Sequence, residues 1–180
     1  TEFGELFEPF ANQVRIAARA AGKKARLVIS RPDQELKIEP EKYRELFGPF
    51  VHLFTNAVDH GIEMPTERVA RGKPPEGLIE VRYSVKDGFI CIEVRDDGAG
   101  INICRLRQKL KAAGFKNADK ATDHEIVEHI FDEGLSTREQ VTAMSGMGMG
   151  LGPLKAGVTR AKGTVSVGAT SSEGTVIIVE

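Results

Sequence analysis

Several features that would each have pointed to a function are missing from this chain. It carries 2 cysteines, Cys91 and Cys104. That is too few for a disulfide framework or a four-thiolate zinc site, and it leads to the expectation of a reducing, cytoplasmic setting. Charge of one sign is not in excess either. The 25 Lys and Arg against 26 Asp and Glu leave a formal net charge of −1, so nothing is on hand to grip a nucleic-acid backbone or an anionic membrane surface. No apolar run approaches the roughly 20 residues of a membrane helix. The opening Thr1-Glu2-Phe3-Gly4 lacks signal-peptide character and an initiator Met, and the expectation is a fragment whose sensor, dimerisation or membrane segments lie outside it. Familiar catalytic motifs are absent too. The pattern G-x-G-x-x-G fails because Leu151 or Pro153 occupies the last glycine position, and no G-x-x-x-x-G-K-[ST] occurs. His124-Glu125 begins an H-E-x-x-H, but Glu128 stands where the second His must be and His129 comes one residue late. No Ser or Cys has a defensible triad order of His and carboxylate around it.

What is present suits a folded domain. Hydrophobic residues make up 41% and charged residues 28%, a balance that supports a core, and one domain over residues 1–180 is expected from the length. Apolar spacing predicts a helix over 4–21 through Leu6, Phe7, Phe10, Val14, Ile16 and Ala17, stopped by Gly22. Residues 26–30 and 35–39 read as short strands in a hairpin turned by Pro32-Asp33. A second helix is predicted over 41–60 from Phe47, Phe50, Val51, Phe54 and Val58, ended by Gly61. Residues 61–77 read as an irregular connection. Strands at 78–85 and 89–95 flank Lys86-Asp87-Gly88, a tight turn. Helices follow at 103–113 and 123–131, then a Gly-, Ser- and Met-rich run to Gly152, a helix to about Ala161, and strands at 164–167 and 175–179.

Polar residues gather at three places. On the second helix His52, Asn56, Asp59 and His60 fall at i, i+4, i+7 and i+8, one face opposite the apolar stripe. Solvated helix faces are usually Lys, Glu and Arg, whereas this one carries short, ligand-type groups. The Asn56 carbonyl is a hard donor suited to Mg²⁺ shared with phosphates and water. At the end of a strand, Asp96 precedes Gly98 and Gly100, which let the backbone turn and a ligand come close. An ionised carboxylate there can accept from an exocyclic amine such as that of adenine, although Asp-Asp-Gly is also an ordinary turn. Finally, Ser145-Gly146-Met147-Gly148-Met149-Gly150-Leu151-Gly152 precedes a helix, an arrangement in which free N–H groups receive phosphate. A flexible linker is the plain alternative. Pro153 fits the first turn of the helix that follows.

In this order the features resemble the ATP-binding domain of CheA-type chemotaxis histidine kinases, within the wider group of gyrase, Hsp90 and MutL-like ATPases. The resemblance extends over nearly the whole chain. His52-Leu53-Phe54-Thr55-Asn56-Ala57-Val58-Asp59-His60-Gly61-Ile62-Glu63 resembles the N box, and Arg68 to Gly77 the insert after it. Asp96 to Gly100 resembles the first glycine box and Ile130-Phe131 through Ser136-Thr137 the phenylalanine box. Ser145 to Gly150 resembles the second glycine box and Gly174-Thr175 the closing Gly-Thr.

The resemblance implies a two-layer α/β sandwich (the Bergerat ATP-binding fold), with helices on one face of a mixed sheet and a mobile ATP lid holding Ser136 and Thr137. It implies ATP and Mg²⁺ as cofactors, Asn56 as the metal ligand and Asp96 as reader of the adenine amine. Asp59, His60, Gly98, Gly100, Ile101 and Thr175 are implied around the nucleotide, and Ser145, Gly146, Met147, Gly148, Met149, Gly150 and Leu151 along the phosphates. His52 occupies the position where gyrase-like hydrolases carry a catalytic Glu, and His52 and His60 are the implied catalytic pair. A kinase whose nucleophile is an imidazole needs no activated water, so the site's task becomes positioning and charge neutralisation of the γ-phosphoryl. The implied partners are a histidine-bearing phosphoacceptor domain and a dimerisation domain outside the chain, a response regulator and a coupling protein, with no nucleic acid and no membrane contact. The family pattern Ser-Gly-Arg-Gly-Val-Gly-Met-Asp-Val-Val-Lys is altered here: Met147, Met149, Leu151, Gly152 and Pro153 precede Lys155, so an Arg and an Asp are lost. That departure opens the alternative of a non-catalytic ATP-sensing module. A gyrase-type hydrolase is the weaker third reading, against which His52 counts.

Overall fold

A computed structural model of the chain describes residues 1–32, 36–132 and 150–180. Its frame is set by alternation along two long strands. β2 (Gly77–Lys86) buries Ile79, Val81 and Tyr83, and β3 (Phe89–Asp96) buries Ile92, Val94 and Asp96 on the same face. Between them Asp87 and Gly88 take φ of 52° and 83°, the left-handed pair that a two-residue hairpin turn needs to match strand twist. β5 (Gly174–Val179) extends the face with Thr175, Ile177 and Val179 opposite Asp96, Val94 and Ile92. β4 (Val165–Ser171) closes one edge antiparallel to β5, and β1 (Ala25–Ser30) closes the other parallel to β2. Among the described residues the order is β1-β2-β3-β5-β4, a mixed sheet.

Helices cover that face. α1 (Glu8–Ala20) contributes Phe10, Val14 and Ala18, α2 (Arg44–Asn56) Leu46, Phe50, Leu53 and Phe54, and α6 (Gly152–Arg160) Leu154 and Val158 to one buried cluster. Three further helices lie between α2 and α6 in the chain: α3 (Pro65–Ala70), α4 (Ile103–Ala112) and α5 (Asp123–Glu128). The last two share a small satellite core of Leu110, Ala118 and Ile126. Aromatic rings pin α1 and the residue that precedes it to α2: Phe7 and Phe47 lie 5.2 Å apart edge to face, and Phe10 and Phe54 lie 5.0 Å apart. Helices α2 and α6 cross where Gly157 meets Pro49. A Cβ on Gly157 would come within 2.6 Å of the Pro49 ring, so only glycine allows that approach. The two-layer α/β sandwich is the architecture expected.

Four expectations are corrected. Among the described residues, 26–30 and 36–39 form no hairpin. Strand β1 pairs in parallel with β2 through Ala25↔Gly77 to Ser30↔Arg82, which sets Leu27 and Ile29 against the core. Leu36 and Ile38 bond instead to the N-terminal segment, Phe3 N–H to Leu36 O at 2.8 Å and Ile38 N–H to Thr1 O at 3.0 Å. Ile16 is 59% exposed. The stripe that α1 buries is Phe10, Val14 and Ala18, and two residues beyond Val14 the helix has turned about 200°. The connection 61–77 contains α3 rather than being wholly irregular. Finally, α2 ends at Asn56, and Ala57–Gly61 form one wider turn of π type, with Ile62 N–H donating to Ala57 O at 2.7 Å. The single α-helical face drawn through His52, Asn56, Asp59 and His60 therefore breaks after Asn56.

Candidate nucleotide-binding site

The π turn brings the end of α2 against the glycine loop that follows β3. His52 and Asn56 stand half-buried on the last turns of α2, and Asp59 and His60 ride the wider turn. Two carbonyls of this turn, those of Val58 and Asp59, accept from the Lys23 ammonium at 2.8 Å each. Desolvation lowers the Lys23 amine from its ordinary value, partly offset by the negative charge of Asp59, Glu67 and Glu63. The His60 imidazole is also lowered, first by desolvation of its ring although the residue keeps an open surface. Asp59 opposes that shift, and the cations Lys23, Lys109 and Arg105 reinforce it.

Asp96 is the centre of the arrangement. It is 9% exposed at the last position of β3. Its Oδ1 accepts the Gly98 N–H at 2.9 Å, and the Thr175 N–H also bonds to it. Burial raises this carboxyl from 3.8 to about 6, against the pull of those two N–H groups, with Asp97 and Glu63 adding repulsion. The neighbourhood is too tight for side chains. A Cβ on Gly61 would sit 3.3 Å from Asp96 Oδ1, and one on Gly98 would sit 2.2 Å from Gly61 O. That Gly61 carbonyl takes the Ala99 N–H at 2.9 Å. Helix end and loop are thus locked backbone to backbone around one desolvated carboxylate.

The other wall comes from the β4–β5 hairpin. Gly100, at φ 77°, leaves room for Ser171 O, which a Cβ would meet at 2.0 Å. Ile101 N–H donates to Thr170 Oγ1 at 2.9 Å, and Thr170 shares a hydroxyl hydrogen bond of 3.1 Å with Thr175. Gly98, Gly100, Ile101 and Thr175 therefore fall around Asp96. Gly150 is half-buried just ahead of α6. Leu151 puts its side chain into the core and gives its N–H to Ile130 O at 3.1 Å, so neither is offered to a phosphate. Ser136, Thr137, Ser145, Gly146, Met147, Gly148 and Met149 lie outside the described residues.

Sequence reasoning missed a buried charge network beneath the loop. Arg68, on α3, is 0% exposed. It donates to Glu63 Oε2 at 2.9 Å, to Asp97 Oδ2 at 2.8 Å, and to the carbonyls of Pro74 and Asp97 at 2.7 and 3.1 Å. Burial alone would raise the Glu63 carboxyl, but hydrogen bonds from Lys73 and Arg68 outweigh it and hold the carboxyl below its usual value. Glu63, Arg68 and Lys73 are spaced without helical or strand period in a connection rich in turn residues, so only their presence in the N-box and insert resemblance could have singled them out.

Asn56, half-buried on the last turn of α2, could offer one hard carbonyl oxygen to a magnesium ion whose other ligands are phosphate and water oxygens. A shallow concavity of about 360 Å³ between Ser30, Arg82, Ser84 and Cys91 lies toward the hairpin end of β2 and β3, away from Asp96.

Residues 50–180 match the family model described as "Histidine kinase-, DNA gyrase B-, and HSP90-like ATPase". The chain is 38% identical over 169 residues, 92% of its length, to the chemotaxis protein CheA of Halobacterium salinarum, and 36% identical over 172 residues to CheA of Salmonella typhimurium. It is 37% identical over 175 residues to the gliding motility regulatory protein of Myxococcus xanthus. It spans only 22–25% of the length of these three relatives. In fold it is similar to the mycobacterial sensor histidine kinase MprB (TM-score 0.55, 17% identity, covering 99% of this chain and 93% of that one). A histidine kinase domain from Erythrobacter litoralis superposes with TM-score 0.53 at 14% identity, covering 99% of this chain and 59% of that one. The chain belongs to the histidine kinase-, DNA gyrase B- and HSP90-like ATPase family and, within it, to the CheA-type ATP-binding domains.

Proposed function

We propose that residues 1–180 form one domain that binds Mg-ATP and donates the γ-phosphoryl group to a histidine on a separate phosphoacceptor domain in a two-component phosphorelay. The observation that carries this reading is the Asp96 carboxylate, desolvated and held by two N–H groups at the mouth of a glycine loop. An acceptor of that kind takes the adenine amine and rejects a ring that presents a carbonyl oxygen at the same position. Asn56 would hold the magnesium ion, whose positive charge would offset the negative charge of the phosphate oxygens. His52 and His60 line the phosphate end without generating a nucleophile, since the attacking imidazole arrives on the acceptor domain. Gly146, Gly148 and Gly150 follow the triphosphate with Ser145, Met147 and Met149, and Ser136 and Thr137 belong to the lid. The dimerisation domain, a response regulator and a coupling protein complete the proposed assembly, in the cytoplasm. Incubating the chain with Mg-ATP and the parent protein's acceptor domain tests this: phosphohistidine on the acceptor is expected, and none from a folded, ATP-saturated chain would refute transfer.

One observation favours a second reading, a non-catalytic ATP-sensing module. Met147 and Gly152 stand where the family pattern carries Arg and Asp, so two charged groups are lost from the second glycine box. Saturable ATP binding with altered protease sensitivity and no transfer would be its signature.

A further inference from the structure

We propose that Lys73 is a positioning residue for the adenine loop: its ammonium holds two successive peptide planes of that loop in the orientation that aims their N–H groups at Asp96 and Gly61. The proposal rests on the Mg-ATP reading above. Lys73 lies in the connection between α3 and β2, and its side chain is only 12% exposed. Its Nζ lies 3.0 Å from Glu63 Oε1, 3.0 Å from Asp97 O, 2.8 Å from Gly98 O and 2.9 Å from Ser172 O. An ammonium has three protons, so these four acceptors saturate it.

The acceptors are the informative part. In a trans peptide the C=O and the following N–H point in opposite directions. The plane whose carbonyl is Asp97 O carries the Gly98 N–H, which donates to Asp96 Oδ1 at 2.9 Å. The next plane, whose carbonyl is Gly98 O, carries the Ala99 N–H, which donates to Gly61 O at 2.9 Å. Lys73 pulls both carbonyls to one side and thereby turns both N–H groups to the other, where they fix the Asp96 carboxylate and the end of the N-box turn. Its fourth contact, Ser172 O, ties in the β4–β5 turn, whose neighbour Gly174 lies so close that a Cβ there would be 1.9 Å from Asp96 O. A buried cation adds little net stability over an apolar side chain of its size. Orientation of the loop is what an apolar replacement would not supply.

The test uses the full chain with Lys73→Met and Lys73→Arg, titrated with Mg-ATP in a calorimeter, and hydrogen exchange of the Gly98 and Ala99 amides without nucleotide. The expected result is a Kd for Mg-ATP about tenfold higher in Lys73→Met, the loss of one charge-assisted hydrogen-bond cluster, with faster exchange at both amides. The Arg variant, which keeps charge and donors, should return within about threefold of wild type. If the Met variant fails to fold, Lys73→Gln takes its place and the same increases are expected. Unchanged affinity and unchanged exchange in a folded variant would overturn the proposal. A wild-type chain that binds no ATP would refute the nucleotide reading instead, and the exchange rates would still decide whether Lys73 orients the loop.

Discussion

The two ends of the β2–β3 ribbon are built from the same alternating strands and stand in opposite surroundings. At the hairpin end, Phe89 is 68% and Val85 55% exposed, next to a two-residue turn that touches little. At the other end β3 runs into Asp96, and within a few residues the chain buries a carboxylate, the fully enclosed Arg68 and its partner Glu63. Apolar groups left in water cost little there, whereas charges taken out of water are expensive unless paired. The chain has spent its buried polarity at one end of its sheet, and it is the end where the glycine loop opens.

The largest effect expected from breaking that contrast is at Arg68. Arg68→Met leaves Glu63 partly unpaired and strips a donor from the Pro74 carbonyl and from Asp97 Oδ2, with an expected loss of about 3–5 kcal/mol in unfolding free energy, read by urea denaturation. Next is Asp96→Asn. The Asp96 carboxyl is raised from 3.8 to about 6 in the folded chain, so the native state binds more protons than the unfolded state between those values. Its contribution to stability is fully present below about pH 4 and is lost as pH rises through 6. At pH 7 the ionised group therefore costs on the order of 3 kcal/mol. Asp96→Asn is expected to raise stability at pH 7 by about 1–3 kcal/mol, less at pH 5, while turning one of the two acceptor oxygens into an N–H donor that opposes the amine. A variant less stable than wild type at pH 7 would contradict this assignment. For the same reason Mg-ATP affinity of the wild type should fall as pH drops through about 6, measured by calorimetry at pH 5 and 7.5.

Smaller effects sharpen the comparison. Lys23→Met strips the donor from the Val58 and Asp59 carbonyls and should cost about 1–3 kcal/mol by thermal melting, together with a weaker hold on the N-box turn. At the hairpin end Phe89→Ser should change stability by no more than about 0.5 kcal/mol. A large loss there would erase the distinction between the two ends.

This contrast also separates what could be read from the letters from what could not. Strands β2 and β3, their Asp87-Gly88 turn, the stripe of α2 and the start of α6 at Pro153 in its first turn follow from period and turn chemistry within a dozen residues. The parallel partner of β1 does not, because Ala25 meets Gly77 across 51 intervening positions, and nothing local favours that pairing over a hairpin. The exposure of Ile16 depends on which stripe of α1 meets α2. The π turn at Ala57–Gly61 depends on Lys23 arriving from another element to take its carbonyls. Asp96 was legible because carboxylate and glycines are adjacent in sequence, whereas Arg68, Glu63 and Lys73 acquire their meaning only when folding buries them under the same loop.

The central claim is that Asp96 forms the base of an adenine pocket, and a calorimetric titration of Mg-ATP into the wild-type chain and a folded Asp96→Asn variant tests it most directly. Saturable binding by the wild type and none by the variant is the predicted result. No binding by the folded wild type, or equal binding by both, would contradict it.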